Sequence, residues 1–469
     1  MTIQYESIAT QLKNNGQDHL LRWWDELLPP QRESLAAQIA SIDFDLVQDL
    51  IALRDEDNPG VAADPEAVTG PADLVRLPQT DEEKNRLIAA GEQGERLLAE
   101  GKVAAILVAG GQGSRLGFDG PKGTFPIGPV SQRPLFQVLC EQLRARGHRA
   151  GRAIPFLIMT SAATHEATVE FFEQHQFFGL SSDDVYFFQQ ASLPAIDCES
   201  HRILMSDKAT IALSPDGHGG MVRALSKSGL LQQMAERGIE HFYYHQVDNP
   251  TAIVCDPVFL GLHLTEQSDM STKVVAKVSP QEKMGVVVSV AGQTQIIEYS
   301  DLTPEEAARR DASGQYIYWA GNTAIHAFRL DFLQRLAAMD SALSFHIAHK
   351  PVTYVDDDGR IVEAQPTAPN AHKFEQFIFD ALPQARVALV MESDRAREFN
   401  PVKNATGNDS PETSRAALNR ISREWALAAG AHVSADVQLE ISPLFALDAE
   451  ELAKKVAPGT EFSADVVLA

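Results

Sequence analysis

Residues 110 to 123 hold the side chains most suited to chemistry: Gly110-Gly111-Gln112-Gly113-Ser114-Arg115-Leu116-Gly117, closed by Pro121-Lys122-Gly123. Glycines let the main chain approach a ligand, and successive amide N–H groups in a tight turn form a concave nest for anionic oxygens. Arg115 offers a planar fork for bidentate contact with phosphate oxygens, and Lys122 a compact point charge. The spacing rules out two familiar phosphate loops. No Lys-Ser/Thr pair ends the loop as in a P-loop, and the third glycine of the dinucleotide fingerprint is missing from its offset. An ordinary glycine turn is the competing reading, but it leaves two cations at this spacing without a role.

Asp248 comes next. It follows the apolar and aromatic run 241–247, which reads as a strand, and α/β proteins gather ligands at the carboxyl ends of strands. A carboxylate there can hold Mg²⁺, which needs only one or two protein carboxylates and completes its octahedron with water and substrate phosphates. It could equally cap a turn. Gly217 and Gly219, beside Pro215 and Asp216, form either a second close-approach loop or a plain turn. The pairs Phe345-His346 and His349-Lys350 show no metal-ligand spacing.

The elements that must position these residues alternate. Thr80 and Glu83 have the form of a capping box, so a helix should run from there towards Gly101. Apolar runs at 103–109, 154–160, 185–188 and 241–247 read as strands, with helical patterns at 135–143, 167–175 and 221–236 between them. This predicts an α/β domain with a mostly parallel sheet. The runs 273–277, 286–290 and 295–299 look like antiparallel additions to it. Residues 7–53 carry helical periodicity, with Pro29 and Pro30 separating two helices, and 55–78, with Pro59, Gly60, Pro65, Gly70 and Pro71, reads as a linker. A helix from 415 to 428 should lead into short β-like runs at 433–439 and 466–468.

A chain of 469 residues exceeds the usual limit of one hydrophobic core, so two or three domains are expected. The net charge of −24 repels nucleic-acid backbones and anionic membranes, so binding to either is not expected, and any site for anionic substrates must concentrate its cations locally. The N-terminus is polar and lacks the apolar core of a signal segment, and no apolar run is long enough to span a bilayer. Cys140, Cys198 and Cys255 are odd in number and widely spaced, which argues for reduced thiols in a cytoplasmic protein rather than disulfides or a thiolate metal cluster.

The phosphate loop resembles the signature of the eukaryotic-type UDP-sugar pyrophosphorylases, Gly-Gly-x-Gly-Thr-Arg-Leu-Gly followed by Pro-Lys-Gly, with Ser114 in place of Thr. The resemblance continues in order through Phe188-Gln189-Gln190, Pro215-Asp216-Gly217-His218-Gly219-Gly220, Val247-Asp248-Asn249, Glu298-Tyr299-Ser300, Gly321-Asn322 and Glu398-Phe399-Asn400-Pro401-Val402-Lys403-Asn404. It covers residues 85–415 and is closest to the UDP-N-acetylglucosamine pyrophosphorylase branch. It implies a Rossmann-like nucleotidyltransferase (GT-A-like) fold, with a mixed, mostly parallel sheet and flanking helices. The segments would be an N-terminal helical region and linker at 1–98, a catalytic domain at 99–400 and a small C-terminal unit at 401–469. A monomer or weakly associating homo-oligomer is expected.

The resemblance also implies roles. Arg115, Lys122 and Lys403 would handle the phosphates of UTP, the sugar 1-phosphate and the leaving pyrophosphate. Gly110, Gly111 and Gly113, with Gln190, Gly217 and His218, would bind the nucleotide. Glu298, Asn322 and the main chain of Gly285 would bind the sugar hydroxyls, Lys350 would more weakly serve the sugar phosphate, and Asp248 would hold Mg²⁺. Attack on the α-phosphorus of UTP needs alignment and charge stabilisation rather than a covalent intermediate. One departure bears on the sugar: the amino-sugar branch carries Gly-Asn-Gly-Gly and the glucose branch Gly-His-Gly-Asp, where this chain has the hybrid Gly217-His218-Gly219-Gly220. N-acetylglucosamine 1-phosphate is thus the first expectation, with glucose 1-phosphate or a broad sugar range as the alternative. A nucleotide-sugar sensor without turnover is the non-enzymatic alternative. A glycosyl transferase would need an Asp-x-Asp metal motif, and Asp356-Asp357-Asp358 before Gly359 reads instead as a polar hairpin turn.

Overall fold

The capping box at Thr80 forms as expected: Glu83 N–H donates to Thr80 Oγ1 at 3.2 Å and Thr80 N–H to the Glu83 carboxylate at 2.9 Å. It opens the helix Asp81–Ala99 in this computed structural model, which describes residues 2–55, 67–339 and 342–469. The helix leads into Val103–Val108, a nearly fully buried strand of an 11-stranded sheet. The main path of the sheet runs Leu74–Val75, Ala388–Glu392, Met270–Ala276, Ala320–Arg329, His241–Gln246, Val103–Val108, Phe156–Thr160, Val185–Gln189. Ala320–Arg329 is antiparallel to both neighbours, and every other adjacent pair on this path is parallel. Helices Leu135–Ala150 and Pro257–Thr265 supply Phe136, Leu139, Phe259 and Leu260 to the apolar cluster that also holds Ala105, Leu107, Phe156 and Ile158 of the strands.

Several expectations shift in detail. The 273–277 run belongs to Met270–Ala276, an interior strand rather than an addition, and its six buried residues suit that position. The antiparallel addition is the hairpin of Val286–Val290 and Gln293–Ile297, whose two turn residues, Ala291 and Gly292, both have positive φ (50° and 83°), as a tight hairpin of the strands' own twist requires. The 221–236 helix is two, Met221–Lys227 and Leu230–Glu236, parted at Gly229, where φ is +74°. Pro29 and Pro30 mark the break after the helical turn Trp24–Glu26 as the first residues of the helix Pro29–Ala40, where a missing N–H costs nothing. Part of the expected linker is sheet: Val68–Thr69 pairs with Val286–Val290, and Leu74–Val75 with Ala388–Glu392. Pro59, Gly60 and Pro65 lie outside the described residues.

Contacts divide the chain into two units interleaved in sequence. The smaller joins Met1–Gly60 to Gln190–Met221 and Leu343–Ile378. In it Leu12, Leu20, Leu35, Ile39 and Leu50 of the N-terminal helical region share one core with Ile196, Ile203, Met205 and Phe374. The larger unit holds the main sheet and the C-terminal residues, so the expected sequential segments 1–98, 99–400 and 401–469 are not the units that contacts define. The physical cause is that the amphipathic N-terminal helices bury their apolar faces on strands more than a hundred residues away.

The C-terminal helix Pro411–Ala428 is followed by two small parallel strand pairs, His432–Val433 with Glu461–Phe462 and Leu439–Ile441 with Val466–Leu468. The expected 433–439 run is therefore broken. Asp356-Asp357-Asp358 does form a turn, between the antiparallel strands Tyr354–Val355 and Ile361–Val362. No helix among the described residues is long and apolar enough to cross a membrane.

Candidate active site

In the larger unit, the glycine loop leaves Val103–Val108 and is folded back on itself by its own main chain. Gly113 N–H donates to Gly120 O at 2.9 Å and Lys122 N–H to Gly111 O at 3.0 Å, which returns Lys122 beside the start of the loop. Ser161, at the end of the next strand, donates from its hydroxyl to Gly110 O at 2.8 Å. Two glycines are dictated by packing. A Cβ on Gly113 would lie 2.7 Å from the Phe118 ring, and one on Gly123 would lie 2.2 Å from that of Phe136. Gly113 thus spends its N–H inside the loop rather than in a nest, whereas a Cβ on Gly111 would meet nothing within 4 Å. Arg115, within the single turn Ser114–Leu116, is exposed.

Lys122 Nζ lies 3.0 Å from Asp248 Oδ2, each side chain about 15% exposed, so the pair is partly shielded from water. Asp248 follows His241–Gln246, the strand paired in parallel with Val103–Val108, so lysine and carboxylate come from the carboxyl ends of adjacent strands. The Lys403 segment docks onto the same point. Val402 N–H donates to Asp248 O at 2.8 Å, Asn249 Nδ2 to Glu398 O at 2.7 Å, and Asn400 N–H to Asn249 Oδ1 at 3.3 Å. Burial pushes the Asp248 carboxyl up, but the charges of Lys122 and Lys403 more than offset this and hold it below the usual carboxylate value. It therefore stays anionic at neutral pH, as a hard divalent cation requires of its ligand.

Beneath this docked segment Lys273 is fully buried, ion-paired with Asp256 at 2.6 Å and with Glu398. Burial disfavours its charge, and the two carboxylates overcome that and raise its pKa. This triad, which periodicity does not reveal, anchors the chain entering the Lys403 segment. The only sequence signal for it is a single charged residue inside an otherwise uncharged strand.

Gly285, Glu298 and Asn322 form a second group in the same unit. Asn322 N–H donates to Gly285 O at 2.8 Å, and a Cβ on Gly285 would stand 2.7 Å from Glu298 Oε1. Asn322 is aimed by a bulge in Ala320–Arg329: the pairing with Met270–Ala276 shifts register there, Ala324 takes φ of 56°, and its N–H donates to Asn322 Oδ1 at 2.9 Å. Met284, next to Gly285, packs against Phe399, and the Phe399 ring lies 5.3 Å from Lys403 Nζ. The two groups therefore share a floor.

The smaller unit carries Gln190, Gly217, His218 and Lys350. Gln190 Nε2 donates to Gly217 O at 3.2 Å, and Gln376 N–H to Asp216 O at 2.7 Å. Gly217 has φ of +85°, and a Cβ there would lie 2.4 Å from Gln376 O, so only glycine fits. His218 stacks on Phe377 and its Nδ1 accepts from Ile378 N–H at 3.2 Å. Burial, with His346 nearby, lowers its pKa to about 4, so it is a neutral ring carrying its proton on Nε2. Lys350 is exposed at the end of Phe345–Lys350, and nothing in its surroundings distinguishes it from a surface lysine.

A mixed, mostly parallel sheet with flanking helices, with a glycine loop and a lysine–carboxylate pair at its strand ends, defines an α/β nucleotidyltransferase-like protein. The family described as UTP--glucose-1-phosphate uridylyltransferase matches residues 72–461. The chain is 37% identical over 444 residues to UDP-N-acetylhexosamine pyrophosphorylase-like protein 1 of Xenopus tropicalis, covering 91% of this chain and 86% of that protein. It is 34% identical to the UDP-N-acetylglucosamine pyrophosphorylase of Saccharomyces cerevisiae, over 94% of each. The crystal structure of the uridine diphosphate N-acetylglucosamine pyrophosphorylase from Trypanosoma brucei aligns with a TM-score of 0.80 at 26% identity, over 97% of this chain and 95% of that one. The chain belongs to the UDP-sugar pyrophosphorylase family and is a nucleotidyltransferase enzyme.

Proposed function

We propose that the protein joins UTP to N-acetylglucosamine 1-phosphate, releasing pyrophosphate and UDP-N-acetylglucosamine, in the cytoplasm. The observation that carries this reading is the convergence of Lys122 and the Lys403 segment on Asp248, and the names of the relatives support the amino sugar. A sugar-phosphate oxygen attacks the α-phosphorus of UTP in line with the departing pyrophosphate. Lys122 and Lys403 offset the charge that develops on the reacting phosphates, and Arg115 holds the pyrophosphate by its fork. The Gly110 and Gly111 main chain takes the nucleotide, while Gly285, Glu298 and Asn322 take the sugar. Asp248 is the residue that would hold Mg²⁺, which when bound would neutralise phosphate charge.

Glucose 1-phosphate is the second reading, motivated by His218 in the hybrid glycine motif. The deciding measurement is kcat/KM for N-acetylglucosamine, N-acetylgalactosamine and glucose 1-phosphates with UTP, read as pyrophosphate release. N-acetylglucosamine 1-phosphate is expected to lead. A lead for the glucose ester would replace the first reading with the second, and no release with any ester by the folded protein would reject both.

A further inference from the structure

Cys198, His349 and His372 are up to 174 residues apart in sequence, yet one ligand atom from each lies within 4.8 Å of the others, the one such group of three His, Cys, Asp or Glu side chains among the described residues. The cause is strand pairing in the smaller unit. Phe345–Lys350 and Ala371–Gln376 are antiparallel with His349 directly opposite His372, and on the other side Ile196 stands opposite His372. Cys198 N–H donates to Asn370 O at 3.1 Å, which carries that pairing two residues on. Side chains alternate along a strand, so Cys198 shares the face of Ile196, and therefore of both histidines.

The geometry points to a binding site for a borderline-soft divalent metal of the zinc class, held by the Cys198 thiolate and the two imidazoles with a fourth position open to water. His349 Nε2 and His372 Nε2 are 3.2 Å apart. Two nitrogens on a tetrahedral zinc, each about 2.0–2.1 Å from it, are separated by about 3.3 Å. The rings are tilted by 49° rather than stacked, as two ligands converging on one ion would be. One sulfur with two nitrogens selects zinc or cobalt over magnesium or calcium, which take oxygen. His372 is buried, Cys198 half-buried and His349 exposed, so the ion has a way in from solvent. The bound ion would staple three segments together. Ala371–Gln376 also carries Gln376, whose N–H holds the Asp216–Gly217 turn, so the staple would set the register of the strand that supports that loop.

The test is titration of the chelator-treated full chain with Co²⁺, followed by competition with Zn²⁺. One equivalent should develop a thiolate-to-cobalt charge-transfer band with tetrahedral d–d bands, and Zn²⁺ should erase both. Cys198→Ser should abolish the charge-transfer band, and His349→Ala should weaken Co²⁺ binding at least about tenfold. A wild-type chain without the thiolate band, or a band that survives Cys198→Ser, would overturn the proposal in favour of a hydrogen-bonded histidine pair. Should the variants not fold, alkylation of the wild type decides. Cys140 and Cys255 are fully buried, so the accessible thiol is Cys198, and Zn²⁺ should slow its reaction with iodoacetamide; an unchanged rate sinks the idea.

Discussion

In the proposed reaction Lys122 is the residue on which the chemistry turns, because it is the cation that the glycine loop itself delivers to Asp248. A charge that matters mainly where the reacting phosphates gain charge should act on turnover. Lys122→Ala is expected to lower kcat by about 10²–10³-fold while changing the KM for UTP far less. Steady-state kinetics checks this, and a variant with intact kcat and a raised KM would mean that Lys122 only binds substrate. The place of Lys122 beside the start of the loop was legible because glycines and cations fall within one short stretch. Lys403 was legible only through its motif, since the hydrogen bond from Val402 N–H to Asp248 O closes 154 positions of chain. Ser161, which fixes Gly110 by a hydroxyl, carried no readable pattern, and the buried Lys273 triad showed only as one charge within a strand.

Helices and strands were the more predictable scale where a local rule governs them. The Thr80 capping box and the Val103–Val108 strand depend on neighbours in sequence and came out where expected. Glycines inside helices show the opposite case. Gly94 within Asp81–Ala99 looks like a helix defect of about 1 kcal/mol. In the fold, a Cβ there would sit 1.8 Å from Pro257 O, and one on Gly261 would sit 1.7 Å from Ala90 O. The helices Asp81–Ala99 and Pro257–Thr265 touch backbone to backbone at these points. Gly94→Ala should therefore destabilise by about 1–3 kcal/mol through overpacking, despite the better helix propensity of alanine. Urea unfolding tests it, and a midpoint at or above that of the wild type would show that the helix pair slides apart at little cost.

Across the whole molecule, buried histidines tie stability to pH. Desolvation lowers the pKa of His245 to about 3 and of His241 to about 4, and takes that of His263 well below its usual value. These rings stay neutral in the fold while the unfolded chain takes up protons below its ordinary value near 6.5, so stability falls as pH drops from about 6.5 towards 4. Each such histidine contributes a slope of up to about 1.4 kcal/mol per pH unit in that window. His245→Phe, which keeps a flat ring stacked against Phe156, should flatten the dependence by about one histidine's share, read from urea midpoints between pH 7 and 4.5. An unchanged slope would mean that His245 protonates freely in the fold. The sequence by itself determined the α/β class and the polyanionic substrate class and marked out the glycine loop with its two cations, because these rest on backbone preferences and on side chains close together in the chain. Only the tertiary structure decided that the N-terminal helices share a core with strands from residues 190–221 and 343–378, that Lys122 pairs with Asp248, and that Cys198 meets His349 and His372. Those meetings are set by strand register and by where apolar faces find cover, and no local pattern in the chain encodes which distant partner will be there.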